Sequence, residues 1–359
     1  MFLAASSLLF GCVTKDAQLL LLSNADGDQD IYVYSDAGLT QVTSNDYDES
    51  HAGWSPDGSA IVYTSNLSGN PEIYTSDAAG KNQTRLTNHP GLDAWPCWSP
   101  DGSRIAFVST RTRRESLFVM DADGDNVSEL TPVTQSANLP AWSPRGDTIA
   151  FLERRDGVET VAIIDADGRN HRTLVATPGV TGLTWSPDAS SLLYSSRRDG
   201  NVDIYRTDVA TGEESRLTTD GWIDAEPAWS PDGSEILWLS ARNDHTRRQV
   251  YLMKSDGSDK RALTVGAAEH MHPGWSPDGK QIAFVAYDNR RFVLHIMDIA
   301  SGEAVSLGAN RLGGTHFQPS FNPRGGHVSL AAIGLQTPAS SQATSADVRV
   351  RLAHMHQEK

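Results

Sequence analysis

The chain has 359 residues, room for one large or two ordinary domains; 38% are hydrophobic, with 30 Gly and 17 Pro, a turn-rich composition that excludes a bundle of long helices. A formal charge of −15 excludes phosphate-backbone binding, and with it nucleic acid, as the main activity. The two cysteines, Cys12 and Cys97, sit in contexts too different to build a disulfide framework.

In chain order, Met1 to Cys12 form an apolar run ending in Leu9-Phe10-Gly11-Cys12, too short to cross a bilayer as a helix. The run resembles the end of a bacterial lipoprotein signal, in which a small residue precedes a cysteine that is acylated and becomes the mature N-terminus. That resemblance implies residues 1–12 as signal and Cys12 as the lipidation site. It also implies a protein in the periplasm or at the outer membrane, lipid-anchored. The alternative is a frayed apolar terminus with a buried cysteine. No later segment is apolar enough to cross a membrane, so any membrane contact is expected through the lipid alone.

Leu19-Leu20-Leu21-Leu22, Asp30-Ile31-Tyr32-Val33-Tyr34 and Leu39-Thr40-Gln41-Val42-Thr43 read as three strands. Between the first two, Asn24-Ala25-Asp26-Gly27-Asp28-Gln29-Asp30 spaces oxygen donors as calcium loops do. Comparable loops at Arg198–Asp203 and Ser68–Glu72 read as the ordinary strand connection.

A motif then repeats: Trp54-Ser55-Pro56-Asp57-Gly58, with copies beginning at Trp98, Trp142, Trp185, Trp229 and Trp275 and a degenerate one at Phe321, a period of 43 to 46 residues. Each copy is followed by an alternating strand such as Ile105-Ala106-Phe107 and a second strand such as Asp203-Ile204-Tyr205, and four of them by an outer strand ending in Leu-Thr, at Leu86-Thr87, Leu130-Thr131, Leu217-Thr218 and Leu263-Thr264. Tight Asp-Gly turns punctuate them. A period in the forties predicts propeller blades, because one small sheet cannot bury both faces until neighbours pack on it. The fold class is therefore all-β, a propeller of four-stranded blades. The N-terminal strands match strands two to four of a blade, and the C-terminal segment before Phe321 supplies strand one. Joining them predicts seven blades and a ring closed by the two ends of the chain. His327–Ala332 reads as a surplus strand, so six or eight blades also fit. The propeller spans 18–335, and 336–359 is a linker with a C-terminal strand or tail. The repeated Trp and Asp-Gly residues read as scaffold, wedges and turns rather than site.

Ordered copies of Trp-Ser-Pro-Asp-Gly, Ile-Ala-Phe, Ile-Tyr, Asp-Gly and Leu-Thr resemble the TolB-type propeller repeat family over about nine-tenths of the chain. TolB carries an α/β domain ahead of its propeller; with only a few residues before the first strand, that domain is not expected in this sequence. The resemblance implies the fold, with relatives that include periplasmic interaction proteins, propellers attached to peptidases, and oligogalacturonate lyases.

Function is sought where the repeats differ. Five and three residues before each Trp stand Glu49 and His51, Asp93 and Trp95, Ala137 and Leu139, Val180 and Gly182, Asp224 and Glu226, His270 and His272, and His316 and Gln318. Strand periodicity predicts both members of each pair on one face beside the central channel. Consecutive blades would then bring Asp224, Glu226, His270, His272, His316, Gln318, Glu49 and His51 to one sector of the mouth. Convergent imidazoles and carboxylates suit a divalent metal, Mn, Zn, Ni or Ca, with His270, His272 and His316 as ligands. The alternative is a hydrated polar funnel. Thr315-His316-Phe317-Gln318-Pro319-Ser320-Phe321 is similar to a Thr-His-x-His-Pro-Ser-Phe stretch of oligogalacturonate lyases, which bind a divalent cation through His at the propeller mouth. His316 matches and Gln318 replaces the second His.

No nucleophile-elbow, zinc-protease or phosphate-loop motif is present. The expected function is a monomeric binding module that engages an envelope protein or a peptidoglycan-associated partner. The second expectation is a metal-dependent enzyme on acidic oligosaccharide.

Overall fold

The computed structural model describes residues 18–24, 27–35, 37–131, 136–155, 157–198, 200–242, 247–288, 291–307 and 316–325, with backbone alone at 155 and 316–318. Cys12 and the 1–12 signal, the surplus strand at 327–332 and the 336–359 tail lie outside the described residues. All regular elements among the described residues are strands, arranged as seven four-stranded antiparallel sheets. The count is thus seven blades, not six or eight.

Blades 2 to 7 each use four consecutive strands. Their inner strands are Glu49–Trp54, Asp93–Trp98, Ser136–Trp142, Val180–Trp185, Asp224–Trp229 and Glu269–Trp275. Blade 1 joins the two ends of the chain: His316–Phe321 lies beside Leu19–Ser23, followed by Asp30–Ser35 and Gly38–Gln41. The register pairs Leu19 with Phe321 and Ser23 with His316. Asn322 pins this seam, its backbone N–H donating to Gln18 O (2.8 Å) and its Nδ2 to Gln18 Oε1 and Gly58 O (2.9 Å each). A Cβ on Gly58 would fall 1.9 Å from Asn322 Oδ1, and its φ of +65° also favours glycine.

The core consists of seven slabs between neighbouring blades. Period-two alternation explains why Leu19-Leu20-Leu21-Leu22 is apolar throughout: Leu19 and Leu21 pack on blade 7 with Ala283, Val285 and Ile296, while Leu20 and Leu22 pack on blade 2 with Trp54, Ile61 and Tyr63. Each blade is stabilised only by its neighbours, so closure removes the last exposed face.

The repeated motif does the joining, as expected for scaffold. The indole N–H groups of Trp54, Trp142, Trp185 and Trp275 donate to Ser320 O (3.1 Å), Cys97 O (3.1 Å), Ala141 O (2.9 Å) and Ala228 O (3.2 Å), each on the inner strand of the preceding blade. Within the turn, Asp57 Oδ1 accepts from Ser55 Oγ (2.6 Å) and from the Ser59 backbone N–H (3.1 Å). Such bonds, led by the preceding serine hydroxyl, hold Asp57, Asp101 and Asp232 down to about 2.

Up-and-down topology gives the ring two different ends. One carries the Ser-Pro-Asp-Gly turns and the turns between third and outer strands; this is the turn face. The other carries the hairpins between second and third strands and the connections from one blade to the next; this is the loop face. Backbone bonds tie hairpin to connection there: Thr110 N–H to Leu92 O (2.9 Å), Arg197 N–H to Gly179 O (3.3 Å) and Ala241 N–H to Ile223 O (3.1 Å). Among the described residues no helix is long and apolar enough to cross a membrane.

Candidate functional site

Each inner strand runs from the loop face along the channel, and in blades 2 to 7 it carries a register break just before the repeated Trp, between Ser50 and Gly53 in blade 2 and between Ala225 and Ala228 in blade 6. The third residue before the Trp sits inside the break in the left-handed region: His51 (φ 52°), Trp95 (53°), Leu139 (49°), Gly182 (67°), Glu226 (53°) and His272 (51°). A bulge of this kind re-aims a side chain, and for a residue other than glycine it stores on the order of 1–3 kcal/mol of strain.

The bulge overturns the expectation that the fifth and third residues before the Trp share a face. The fifth-position residues Glu49, Asp93, Ala137, Val180, Asp224 and His270 are buried, while the third-position residues are half-buried or exposed. Uninterrupted period two would have put both at the channel; the inserted residue turns only one of them there.

The buried positions belong to a relay from blade to blade. The threonine that follows the outer strand in blades 1, 2, 3, 5 and 6 accepts from the third strand of its own blade, as Thr43 Oγ1 does from Ile31 N–H and Thr87 Oγ1 from Ile73 N–H (2.9 Å each). Where that strand opens with an acid the threonine donates to it, Thr43 to Asp30 (2.9 Å) and Thr87 to Glu72 (2.6 Å). The next blade's fifth-position residue lies beside this pair. Glu49 accepts from Ser65 Oγ at 2.7 Å, Asp93 pairs with Arg111 at 2.8 Å, and Asp224 accepts from Trp238 Nε1 at 3.1 Å with Arg242 at 3.6 Å. Burial raises the carboxyls of Glu49, Asp93 and Asp224 above their usual range, against these bonds. His270 lies 3.4 Å from Thr264 Oγ1 and edge-on to Phe284 at 5.1 Å; burial, with His295 nearby, pushes it down to about 4.

The third-position residues touch one another around the channel. His51 and Trp95, from blades 2 and 3, meet with ring centroids 5.1 Å apart. A Cβ on Gly182 would lie 3.5 Å from Glu226 Cα. Glu226 Oε2 accepts from the His272 backbone N–H (2.9 Å) and stands 3.3 Å from its Nδ1, while Arg248 reaches Glu226 (3.5 Å) and Glu269 (3.0 Å). Burial alone would raise Glu226, but the His272 bond and charge and the Arg248 guanidinium outweigh it and hold the carboxyl below its usual value. Burial lowers His51, so it stays neutral near pH 7, and its Nδ1 has no partner among the described residues. The sequence reading missed Arg248 and the outer carboxylate Glu269, which reach the ring from a hairpin and from the start of the inner strand; a partner register was needed to find them.

Seven predicted residues with described side chains thus divide between two environments. His51, Glu226 and His272 line the channel with Trp95, and Glu49, Asp93, Asp224 and His270 lie between blades. The side chains of His316 and Gln318 lie outside the described residues. Among the described residues no three His, Cys, Asp or Glu side chains converge as a cation site requires, and the donors around His270 are a hydroxyl and a ring edge, which do not fit one.

Comparison with known proteins follows this geometry. The family model described as TolB beta propeller domain matches residues 40–196 and 177–357. Among solved structures, TolB from Acinetobacter baumannii is similar at 20% identity with a TM-score of 0.53, over 85% of this chain and 66% of that one. An oligogalacturonate lyase in complex with manganese is similar at 15% identity with a TM-score of 0.62, over 82% and 85%. A Mycobacterium tuberculosis puromycin-hydrolyzing peptidase is similar at 16% identity with a TM-score of 0.66, over 82% of this chain and 52% of that one. This chain therefore spans about two thirds of the TolB structure and about half of the peptidase, and at these identities the likeness is one of fold.

Proposed function

The chain belongs to the TolB beta propeller domain family, and from that premise we propose that it is a binding module of the bacterial cell envelope that captures a protein or peptidoglycan-associated partner at the channel mouth. The observation that carries this reading is the ring of bulged residues: His51, Trp95, Glu226 and His272 are held in a strained, repeated geometry by a rigid frame and present aromatic and charged groups side by side. Strain retained at the same position in blade after blade fits a surface preorganised for a ligand.

The apolar run ending at Cys12 supports an exported, lipid-anchored form. Gln18 lies at the turn-face end of blade 1, hydrogen-bonded to Asn322, so a lipid on Cys12 would hold that face toward the membrane and leave the loop face outward. The test is a photo-crosslinking amino acid at position 95 in producing cells. A discrete crosslinked partner that is lost in a His51→Ala/Glu226→Gln variant of unchanged stability supports the reading. A crosslink pattern indifferent to those changes overturns it.

The second reading, cation-dependent cleavage of acidic oligosaccharide, rests on the match of His316 to the lyase stretch. Elemental analysis of chelator-free protein decides it: near-stoichiometric Mn, Zn or Ni, lost in a His270→Ala/His316→Ala variant, would displace the binding-module reading.

A further inference from the structure

Every Arg-Arg pair in the chain, at 113–114, 154–155, 197–198, 247–248 and 290–291, falls at the hairpin between the second and third strands of a blade, and the five blades are consecutive, 3 to 7. In sequence, segments 110–116, 154–157, 197–200, 242–248 and 288–291 hold twelve arginines against five acidic residues, in a chain of net charge −15; of the described side chains among them, ten are arginine and two, Glu115 and Asp288, are acidic. The hairpins of blades 1 and 2 carry Asp28 and Asn66-Leu67-Ser68-Gly69-Asn70 instead, and exposed Asp46 and Asp48 stand on the connection between those blades. The loop face is therefore polarised, a basic arc over five blades and an acidic remainder over two.

Part of the arc is tied inward, Arg111 to Asp93, Arg198 to Glu214, Arg242 to Asp220 and Asp224, and Arg248 to Glu226 and Glu269. Arg113, Arg154, Arg197 and Arg291 are exposed and join no ion pair among the described residues. Apolar side chains stand among them: Val158, Ile223, Val265 and Tyr287 are 51%, 46%, 46% and 36% exposed, all on hairpins or connections of blades 4 to 7. Of the large apolar side chains exposed on the molecule, Val127 alone among the described residues belongs to the turn face.

We infer that the loop face of blades 3 to 7 is a docking surface for an extended acidic polypeptide segment bearing apolar side chains. Guanidinium forks match carboxylates in two-pronged geometry, and exposed valine and isoleucine offer a sugar polymer nothing but fit leucine or phenylalanine. A flat anionic membrane would press Asp46 and Asp48 against like charge, whereas a segment following the arc avoids them. This surface lies outside the channel ring and stands whether or not the mouth binds.

The experiment measures binding of a labelled peptide of Glu-Glu-Leu repeats by fluorescence anisotropy, using the full chain and an Arg113→Gln/Arg154→Gln/Arg197→Gln/Arg291→Gln variant. These side chains are exposed, so the variant is expected to keep its urea midpoint and to bind about tenfold or more weakly. Added salt weakens wild-type binding, and a Glu-Glu-Ser peptide binds several-fold less. A turn-face control, Arg169→Gln/Lys254→Gln/Lys280→Gln, retains full binding. The proposal is overturned by equal binding to wild type and arc variant, by an equal loss in the turn-face control, or by tighter arc-dependent binding of polygalacturonate or phosphatidylglycerol vesicles than of the peptide.

Discussion

The two faces of the ring solve opposite problems with the same backbone. On the turn face the aspartates of the repeated turns are answered within their own turn: Asp101 Oδ1 accepts from Ser99 Oγ at 2.6 Å and from Ser103 N–H at 3.0 Å, and a Cβ on the turn glycine would meet the proline of the preceding blade, as one on Gly102 would at 3.7 Å from Pro56 Cδ. On the loop face the residues differ from blade to blade, strained positions line the mouth, and arginines and apolar side chains stand exposed. Repetition marks what holds the ring together, and variation around it marks where the ring meets something else.

The largest effect should come from breaking the joining side of that comparison. Trp185→Ala removes a nearly buried wedge and its bond to Ala141 O, with an expected loss of about 3–5 kcal/mol in urea unfolding. Trp95→Ala, the same change in the channel ring, should cost under about 1 kcal/mol by the same measurement while abolishing the crosslink from a photo-crosslinking residue placed instead at Leu139 of the same ring. Equal losses would erase the distinction between the two tryptophans.

Next in size is acid sensitivity. His270 and His295 flank Phe284, His295 stacked on it at 5.4 Å, and burial pushes both from 6.5 down to about 4. The unfolded chain takes up these protons at higher pH than the folded one. Their contribution is therefore complete above pH 6.5 and is lost as pH falls toward about 4, on the order of a few kcal/mol per histidine. Glu49, Asp93 and Asp224, raised by burial, act in the opposite sense, since the folded state holds their protons longer. The histidine share is isolated by His295→Phe, whose urea midpoint should fall less than that of wild type between pH 7 and pH 4.5. An unchanged difference would refute this assignment.

Smaller effects belong to single turns. Gly58→Ala, at the seam, should destabilise by about 1–2 kcal/mol and be partly relieved by Asn322→Ala, which removes the clashing amide. Asp101→Ala, at a largely exposed turn, should cost about 0.5–1.5 kcal/mol. A larger loss there would show that the turns do more than close locally.

Legibility followed the same division. The 43- to 46-residue period, the strand order within a blade and closure of the ring by the chain's two ends all read directly from the sequence, because apolar alternation and Pro-Asp-Gly turns are local properties of the chain. The hairpin Arg-Arg pairs are equally local, 41 to 50 residues apart, but only the placement of the strands shows that they share one face of the ring. The bulge was not legible: Trp95, Leu139 and Glu226 have no side-chain preference for the left-handed region, and only Gly182 and the histidines His51 and His272, a residue type enriched there, hinted at it. Period two was therefore carried through a strand that breaks it.

Composition, period and turn chemistry by themselves determined an all-β ring of repeated blades, since each small sheet had to bury both faces against others like itself. The surplus strand in the sequence left the count open; pairing of Leu19–Ser23 with His316–Phe321 decided it at seven. Only the tertiary structure decided which of the acidic and histidine side chains faces the channel. That depends on an extra residue inserted where neighbouring inner strands crowd around a common axis, a constraint that arises between blades and is written in none of them alone.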